Sequence, residues 1–291
     1  MKQKLRLPFL LTGMVYLVMT YFALLSSGNA SVRSIILAVK KDPGQQFGQM
    51  YWYMQEGSSN RENYIKSGGK VDNGPTGILA NAGNGMLFAI DSADDLVTHR
   101  IELENDSTLT VHPPEQYVQR GFGRHGYTQL FSSGRGALFA KDKKGDIYYY
   151  PYTMRRSSVG YTATIAAERV NVANGWNSFK TICHLADDKI FVSYPNGDAY
   201  YYPYHLDRDS GIKLATSKKL SNPFQDDYVF RGVGEEIFSV NGSGLKRRDS
   251  FRVFPKDFLK SDGQPSMGWD FSQLLTIDPA YVGIKNQSYR V

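Results

Sequence analysis

Ala137-Leu138-Phe139-Ala140-Lys141-Asp142-Lys143-Lys144-Gly145-Asp146-Ile147-Tyr148-Tyr149-Tyr150-Pro151-Tyr152 stands 52 residues ahead of Lys189-Ile190-Phe191-Val192-Ser193-Tyr194-Pro195-Asn196-Gly197-Asp198-Ala199-Tyr200-Tyr201-Tyr202-Pro203-Tyr204. Each stretch reads as an extended run, a polar turn closing on Gly-Asp, and a tyrosine-rich run, which together make a β-hairpin. Glycine supplies the positive φ that a tight turn needs, and aspartate can bond back to the turn backbone. Successive tyrosines point to opposite faces of a strand. Large residues on both faces imply a sheet covered on each side by another sheet. A tyrosine-rich hairpin of some other all-β fold explains one copy but not its return.

The opening phrase of that hairpin occurs six times. It is Ile36-Leu37-Ala38, Leu87-Phe88-Ala89, Leu138-Phe139-Ala140, Ile190-Phe191-Val192, Ile237-Phe238-Ser239 and Tyr281-Val282-Gly283, at steps of 51, 51, 52, 47 and 44 residues. Strands repeating at that period predict a radial array of small sheets, a β-propeller. A further extended piece precedes each clear copy, as in Gly126-Tyr127-Thr128-Gln129-Leu130-Phe131 and Gly175-Trp176-Asn177-Ser178-Phe179-Lys180-Thr181-Ile182. A fourth run follows, such as Ala163-Thr164-Ile165-Ala166-Ala167-Glu168-Arg169-Val170 or Lys213-Leu214-Ala215-Thr216-Ser217-Lys218-Lys219-Leu220, whose mixed polarity suits an outer edge strand.

Gly-Trp, two residues, Phe, then the apolar triad and a glycine turn into a tyrosine-rich strand resembles the tachylectin-type propeller lectins. Gly175-Trp176-Asn177-Ser178-Phe179 carries the opening in full, and Gly268-Trp269-Asp270-Phe271 carries it with the Phe one place early. The resemblance spans roughly residues 35–291, with two or three units carrying it well. It implies five four-stranded blades and recognition of N-acetylated amino sugars, with a site in each blade. The Asp-Asn-Trp stretch that such lectins carry ahead of each outer strand is absent here, so the resemblance transfers no ligand residue.

Four units look complete, beginning near Gly74, Gly123, Asn174 and Pro223. The N-terminal piece has hairpin strands without an innermost strand, and the C-terminal piece has an innermost strand and hairpin without an outer one. Joining the two closes the ring as five blades and leaves no exposed sheet edge. Six separate blades are the alternative. A chain of 291 residues with 20 Tyr, 16 Phe and 28 Gly suits one turn-rich all-β domain, expected over residues 31–291.

Lys2, Lys4 and Arg6 precede an apolar run over residues 7–25, and Ser26-Ser27-Gly28-Asn29-Ala30 follows. That order describes a secretory signal peptide over residues 1–30, with an uncleaved membrane anchor as the alternative. Cleavage would remove three of the six net positive charges and leave +3. The densest remaining basic spot, Lys246-Arg247-Arg248, carries no nucleic-acid motif, so nucleic acid is not an expected partner. One cysteine, Cys183, rules out an internal disulfide and reads as an inert buried thiol. Asn105, Asn241 and Asn286 each open an Asn-x-Ser triplet, compatible with glycosylation of a secreted protein.

No catalytic motif emerges. The five histidines show no metal-ligand spacing, no nucleophile elbow or phosphate loop is present, and neither cofactor nor metal is expected. A sugar site needs an aromatic face and a few amide or carboxylate groups. Trp176 with Asn174 and Asn177, and Trp269 with Asp270, offer that pairing in two units, and Tyr127 and the cluster Asp226, Asp227 and Tyr228 are poorer analogues. Packing between blades is the competing role for both tryptophans. The leading expectation is a secreted, non-enzymatic lectin for glycans bearing GlcNAc or GalNAc. A protein-interaction platform and a hydrolase with carboxylates at the ring's mouth are the alternatives.

Overall fold

The computed structural model describes residues 33–40, 48–57, 63–75, 77–104, 108–114, 116–157, 160–165, 168–185, 188–207, 211–220, 224, 228–232, 237–241, 244–248, 260–261, 271–277 and 283–284. These form five sheets. The first holds β1 (Arg33–Lys40), β2 (Gln49–Gly57) and β3 (Asn63–Val71). The second runs β4 (Ile78–Gly83), β5 (Met86–Ile90) and β6 (Leu96–Glu104), with β7 (Thr108–Val111) and β8 (Gln116–Gln119) both on β6. The third runs β9 (Tyr127–Ser132), β10 (Ala137–Asp142) and β11 (Ile147–Ser157), with β12 (Gly160–Ile165) and β13 (Val170–Ala173) both on β11.

The fourth repeats that plan with β14 (Thr181–Leu185), β15 (Lys189–Ser193), β16 (Ala199–Asp207), β17 (Gly211–Leu214) and β18 (Lys218–Lys219). The fifth holds β19 (Tyr228–Arg231), β20 (Ile237–Asn241) and β21 (Gly244–Arg248). Three late strands return to earlier sheets. β22 (Lys260–Ser261) lies parallel to β3, β23 (Gln273–Ile277) antiparallel to β1, and β24 (Gly283–Ile284) parallel to β6.

The architecture is an all-β propeller. Its innermost strands pack in a cycle: β4 on β9, β9 on β14, β14 on β19, β19 on β23 and β23 on β4. Each seam between neighbouring sheets holds one apolar cluster, the last lying between the fifth sheet and the first.

The recurring triad follows from this arrangement. Strand side chains alternate, so the middle residue enters one seam and its neighbours the other. Phe139 packs in the seam toward the fourth sheet, while Leu138 and Ala140 pack in the seam toward the second. Phe191 and Leu37 repeat the pattern, each splitting from its flanking residues in the same sense. Strands buried on both faces read as continuous apolar runs, and Ile35, Ile36, Leu37 and Ala38 are all fully buried. The tyrosines follow suit, with Tyr149 in one seam and Tyr150 and Tyr152 in the other.

Three expectations change. The sheets are not simple four-stranded units, because the third strand outruns the second. β11 pairs with β10 as far as Pro151, then continues to pair with β12 through Ser157. Pro151 and its equivalent Pro203 sit where the strand changes partner, the place in a ladder where a missing N–H is tolerated. The next residue makes the last bond, Tyr152 N to Gly136 O at 2.9 Å and Tyr204 N to Asp188 O at 2.9 Å. The stretches expected to be single outer strands are therefore divided, into β12 and β13 in one sheet and β17 and β18 in the next.

Second, the innermost strand of the fourth sheet starts at Thr181, because Trp176–Ser178 forms a 3-10 turn ahead of it. Third, β23 takes its partner triad from Ile36-Leu37-Ala38, so the copy at Tyr281-Val282-Gly283 does not complete its sheet. Tyr281 and Val282 lie outside the described residues, and Gly283 belongs to β24. The apolar run over residues 7–25 also lies outside them; among the described residues no helix is long and apolar enough to cross a membrane.

Candidate functional site

All five innermost strands run in the same sense around the ring, which gives the molecule two distinct rims. The lower rim carries the hairpin turns between second and third strands. Three of these share one construction. Asp94, Gly145 and Gly197 hold equivalent positions at φ 63°, 85° and 88°. Each offers its carbonyl to the segment entering the next sheet: to Gly123 N at 2.8 Å, Trp176 N at 2.8 Å and Phe224 N at 2.7 Å. An aromatic ring at that junction, Phe122, Trp176 or Phe224, closes the seam.

The turn aspartates divide their work. Asp142 caps its own turn, its Oδ1 accepting from Lys144 N at 2.8 Å and Asp146 N at 3.0 Å. Asp146, the residue after the glycine, instead accepts from Gly175 N at 3.3 Å, as Asp95 accepts from Gly121 N at 2.6 Å. Each hairpin turn thereby locks the following sheet in place.

Trp176 is only 7% exposed and packs on Phe179 and Tyr202, with ring centroids 5.2 and 5.0 Å away. Its indole is chiefly a seam plug. Asn174 and Asn177 flank it and are exposed. Asn177 Nδ2 donates to Lys143 O at 3.0 Å, and Asn174 Oδ1 accepts from Asn171 Nδ2 at 2.9 Å. The lower rim of this seam therefore presents two fixed amides beside the edge of a buried indole.

Tyr127 is buried in the preceding seam. Its hydroxyl meets that of Tyr150 and accepts from Arg169 Nη1 at 3.1 Å. Burial first, then the Tyr127 hydroxyl, pushes the Tyr150 phenol well above its ordinary range. The Arg169 guanidinium also lies 4.4 Å from the centroid of Tyr148, and Lys219 lies 5.8 Å over the equivalent Tyr200. A cation thus covers the first tyrosine of the third strand in two successive sheets, a stacking contact that the spacing of the sequence did not disclose. Trp269, Asp270, Asp226, Asp227, Asn105 and Asn286 lie outside the described residues, and Asn241 ends β20.

Sequence reasoning missed a second region entirely. A cavity of about 220 Å³ occupies the axis, lined by all five innermost strands. Opposite the first residue of each triad stand Asn81, Ser132, His184, Arg231 and Thr276, one from each strand and all polar. They lie toward the upper rim, where Gly134 and Arg135 turn over into β10.

The belt is cross-bonded. Arg231 Nη1 donates to Ser133 O at 3.1 Å and lies 3.3 Å from His184 Nδ1. His184 Nε2 pairs with Tyr204 OH at 2.8 Å, and Asn81 Nδ2 donates to Thr276 O at 2.8 Å. Burial, then the charges of Arg231 and Arg135, pulls the His184 pKa down to about 3, so the ring is neutral. Neighbouring Cys183 is buried beneath Phe191, and burial pushes its thiol up to about 12, the inert state its sequence setting implied. Among the described residues lining the cavity there is no Asp or Glu.

No curated protein matches the chain. A family model described as Tachylectin matches residues 45–254.

Proposed function

Because the chain belongs to the Tachylectin family, we propose that it is a five-bladed, non-catalytic lectin that takes N-acetylated amino sugars at its lower-rim seams. The observation that carries this reading is the shared construction of three lower-rim junctions, each with a fixed turn and an aromatic plug. Repeated equivalent sites give a multivalent binder that gains by avidity on clustered glycans. At the Trp176 seam the amides of Asn174 and Asn177 address the acetamide and hydroxyls, while half-buried Tyr200 with its neighbouring Lys219 supplies the stacking face. The basic, then apolar, then small-residue order of residues 1–30 supports delivery to the secretory path, where Asn105, Asn241 and Asn286 would be acceptors for glycosylation.

Retention on immobilised GlcNAc and GalNAc, with elution by the free sugar, tests the proposal. Trp176→Phe is the informative indole variant, because Phe122 and Phe224 already fill the equivalent places and the seam stays closed. Asn177→Ala is expected to weaken retention at least threefold while leaving the melting temperature nearly unchanged. A folded protein that passes through both resins unretained refutes amino-sugar binding.

A further inference from the structure

The long third strands differ in what borders them past the upper rim. In β6 and β11 the pairing with the second strand ends at the same register, with Ile101 N bonded to Gly85 O at 3.0 Å and Tyr152 N to Gly136 O at 2.9 Å. Beyond that point one side of each strand is taken, by β7 on β6 and by β12 on β11. The other side of β6 is closed as well. There β24 lies parallel to it, with Gly283 beside Glu102 and Ile284 beside Leu103, and Leu103 is only 3% exposed. Among the described residues no strand does the same for β11.

The corresponding residues of β11 are Thr153 and Met154, followed by Arg155 and Arg156. Backbone groups alternate in direction along a strand. With Tyr152 N turned toward Gly136, Met154 and Arg156 turn their N–H and C=O groups to that same side. Met154 is half-buried against the seam toward the second sheet, and Arg155 and Arg156 are exposed on opposite faces of the strand. The edge is therefore a short row of backbone donors and acceptors bordered by one apolar and two cationic side chains. Charge decides which segment fits it. The β6 edge is acidic, with Glu102 and Glu104 on either side of Leu103, and the sequence runs on from β24 into Lys285. The β11 edge has the opposite sign, so a second copy's β24 would bring its lysine to the level of Arg155. Arginine on an edge strand repels indiscriminate pairing and leaves the ladder to an acidic partner.

We propose that the upper edge of β11, residues 153–156, is a docking site for an extended acidic segment of a partner protein, which adds to the third sheet as a strand parallel to β11. The strand on β6 sets the pattern: a small residue beside Thr153, an aliphatic one on Met154, then two acidic residues at the level of Arg155 and Arg156. Main-chain bonds supply the affinity and these side chains the selection. The site lies at the rim opposite the proposed sugar seams, so docking leaves them open to glycan.

The probe is a fluorescein-labelled peptide, Thr-Thr-Gly-Ile-Glu-Glu-Thr-Thr, titrated with the full chain and followed by anisotropy. Saturable binding is expected, weakening as salt is raised. It should be at least tenfold weaker in the double variant Arg155→Gln, Arg156→Gln, whose melting temperature stays that of the parent because both side chains are exposed. N-methylation of the first glutamate removes the N–H that faces Met154 O in this register and should also weaken binding at least tenfold. Equal binding by the methylated peptide reduces the contact to charge attraction and overturns strand addition. Equal binding by a peptide of residues 281–288 of this chain assigns the edge to a second copy and overturns the acidic partner. No saturable binding, or binding undiminished in the double variant, overturns the proposal as a whole.

Discussion

Gly145 stands at φ 85°, and a Cβ there would come within 2.7 Å of Trp176 N and 2.6 Å of Asn177 N. Gly175 is equally left-handed at φ 74°, but a Cβ there meets nothing within 4 Å. The pair separates two costs that usually arrive together. Gly175→Ala should lose only the left-handed penalty, about 1 kcal/mol, while Gly145→Ala should lose about 3 kcal/mol or more because backbone must move. Urea unfolding of both variants measures the difference, and equal losses would show that the turn is not the lock described above. His184 supplies a second residue-scale prediction. The unfolded ring titrates near 6.5 and the folded ring near 3, so between those values the unfolded chain takes up a proton that the folded one refuses. Stability is therefore complete above pH 7 and falls as pH drops, by about 2 kcal/mol at pH 5. His184→Gln should flatten that part of the curve; an unchanged slope would place its origin elsewhere.

The elongated third strand is the element that distinguishes these sheets. Tyr152, just past the proline, extends its hydroxyl to Ala82 O in the preceding sheet at 2.8 Å, whereas Tyr204 at the equivalent position bonds His184 of its own sheet. Tyr152→Phe should cost about 1–2 kcal/mol by stranding a buried carbonyl, measurable as a lower urea midpoint at constant slope. The hairpins at the lower rim were legible because their signals are local: Gly-Asp at the turn, apolar and tyrosine runs on either side. The division of the outer run was not. Residues 160–173 carry no punctuation that separates pairing with the far half of β11 from pairing with its near half. The burial of Trp176 was equally hidden, since a Gly-Trp pair reads alike whether the indole faces sugar or seam. The axial belt escaped for a different reason. Its five members fall roughly fifty residues apart, differ in type, and share only a register that exists once the strands are paired.

At the scale of the whole molecule, the pairing of β1 with β23 joins two segments far apart in sequence. Ser272 binds Val39 through both backbone and hydroxyl, at 2.8 and 2.9 Å, across 233 positions of sequence. Deleting residues 271–291 should uncover one edge of the apolar run Ile35–Val39 in β1, replacing a single unfolding transition with a broad one and promoting self-association, as sedimentation and urea denaturation would report. A deletion variant that stays monomeric and melts like the parent would disprove that coupling. The same contact dictates an order of events during synthesis. Chain emerges from the ribosome at about 5–20 residues per second, so β1 waits on the order of 10–50 s before its closing partner exists. Throughout that interval its Ile-Ile-Leu-Ala edge is an open template for any passing strand. The synthesis of β23 thus acts as a clock on folding, and whatever shields the nascent edge until then, whether chaperone or compartment, is as much a requirement of this architecture as the aromatic seams themselves.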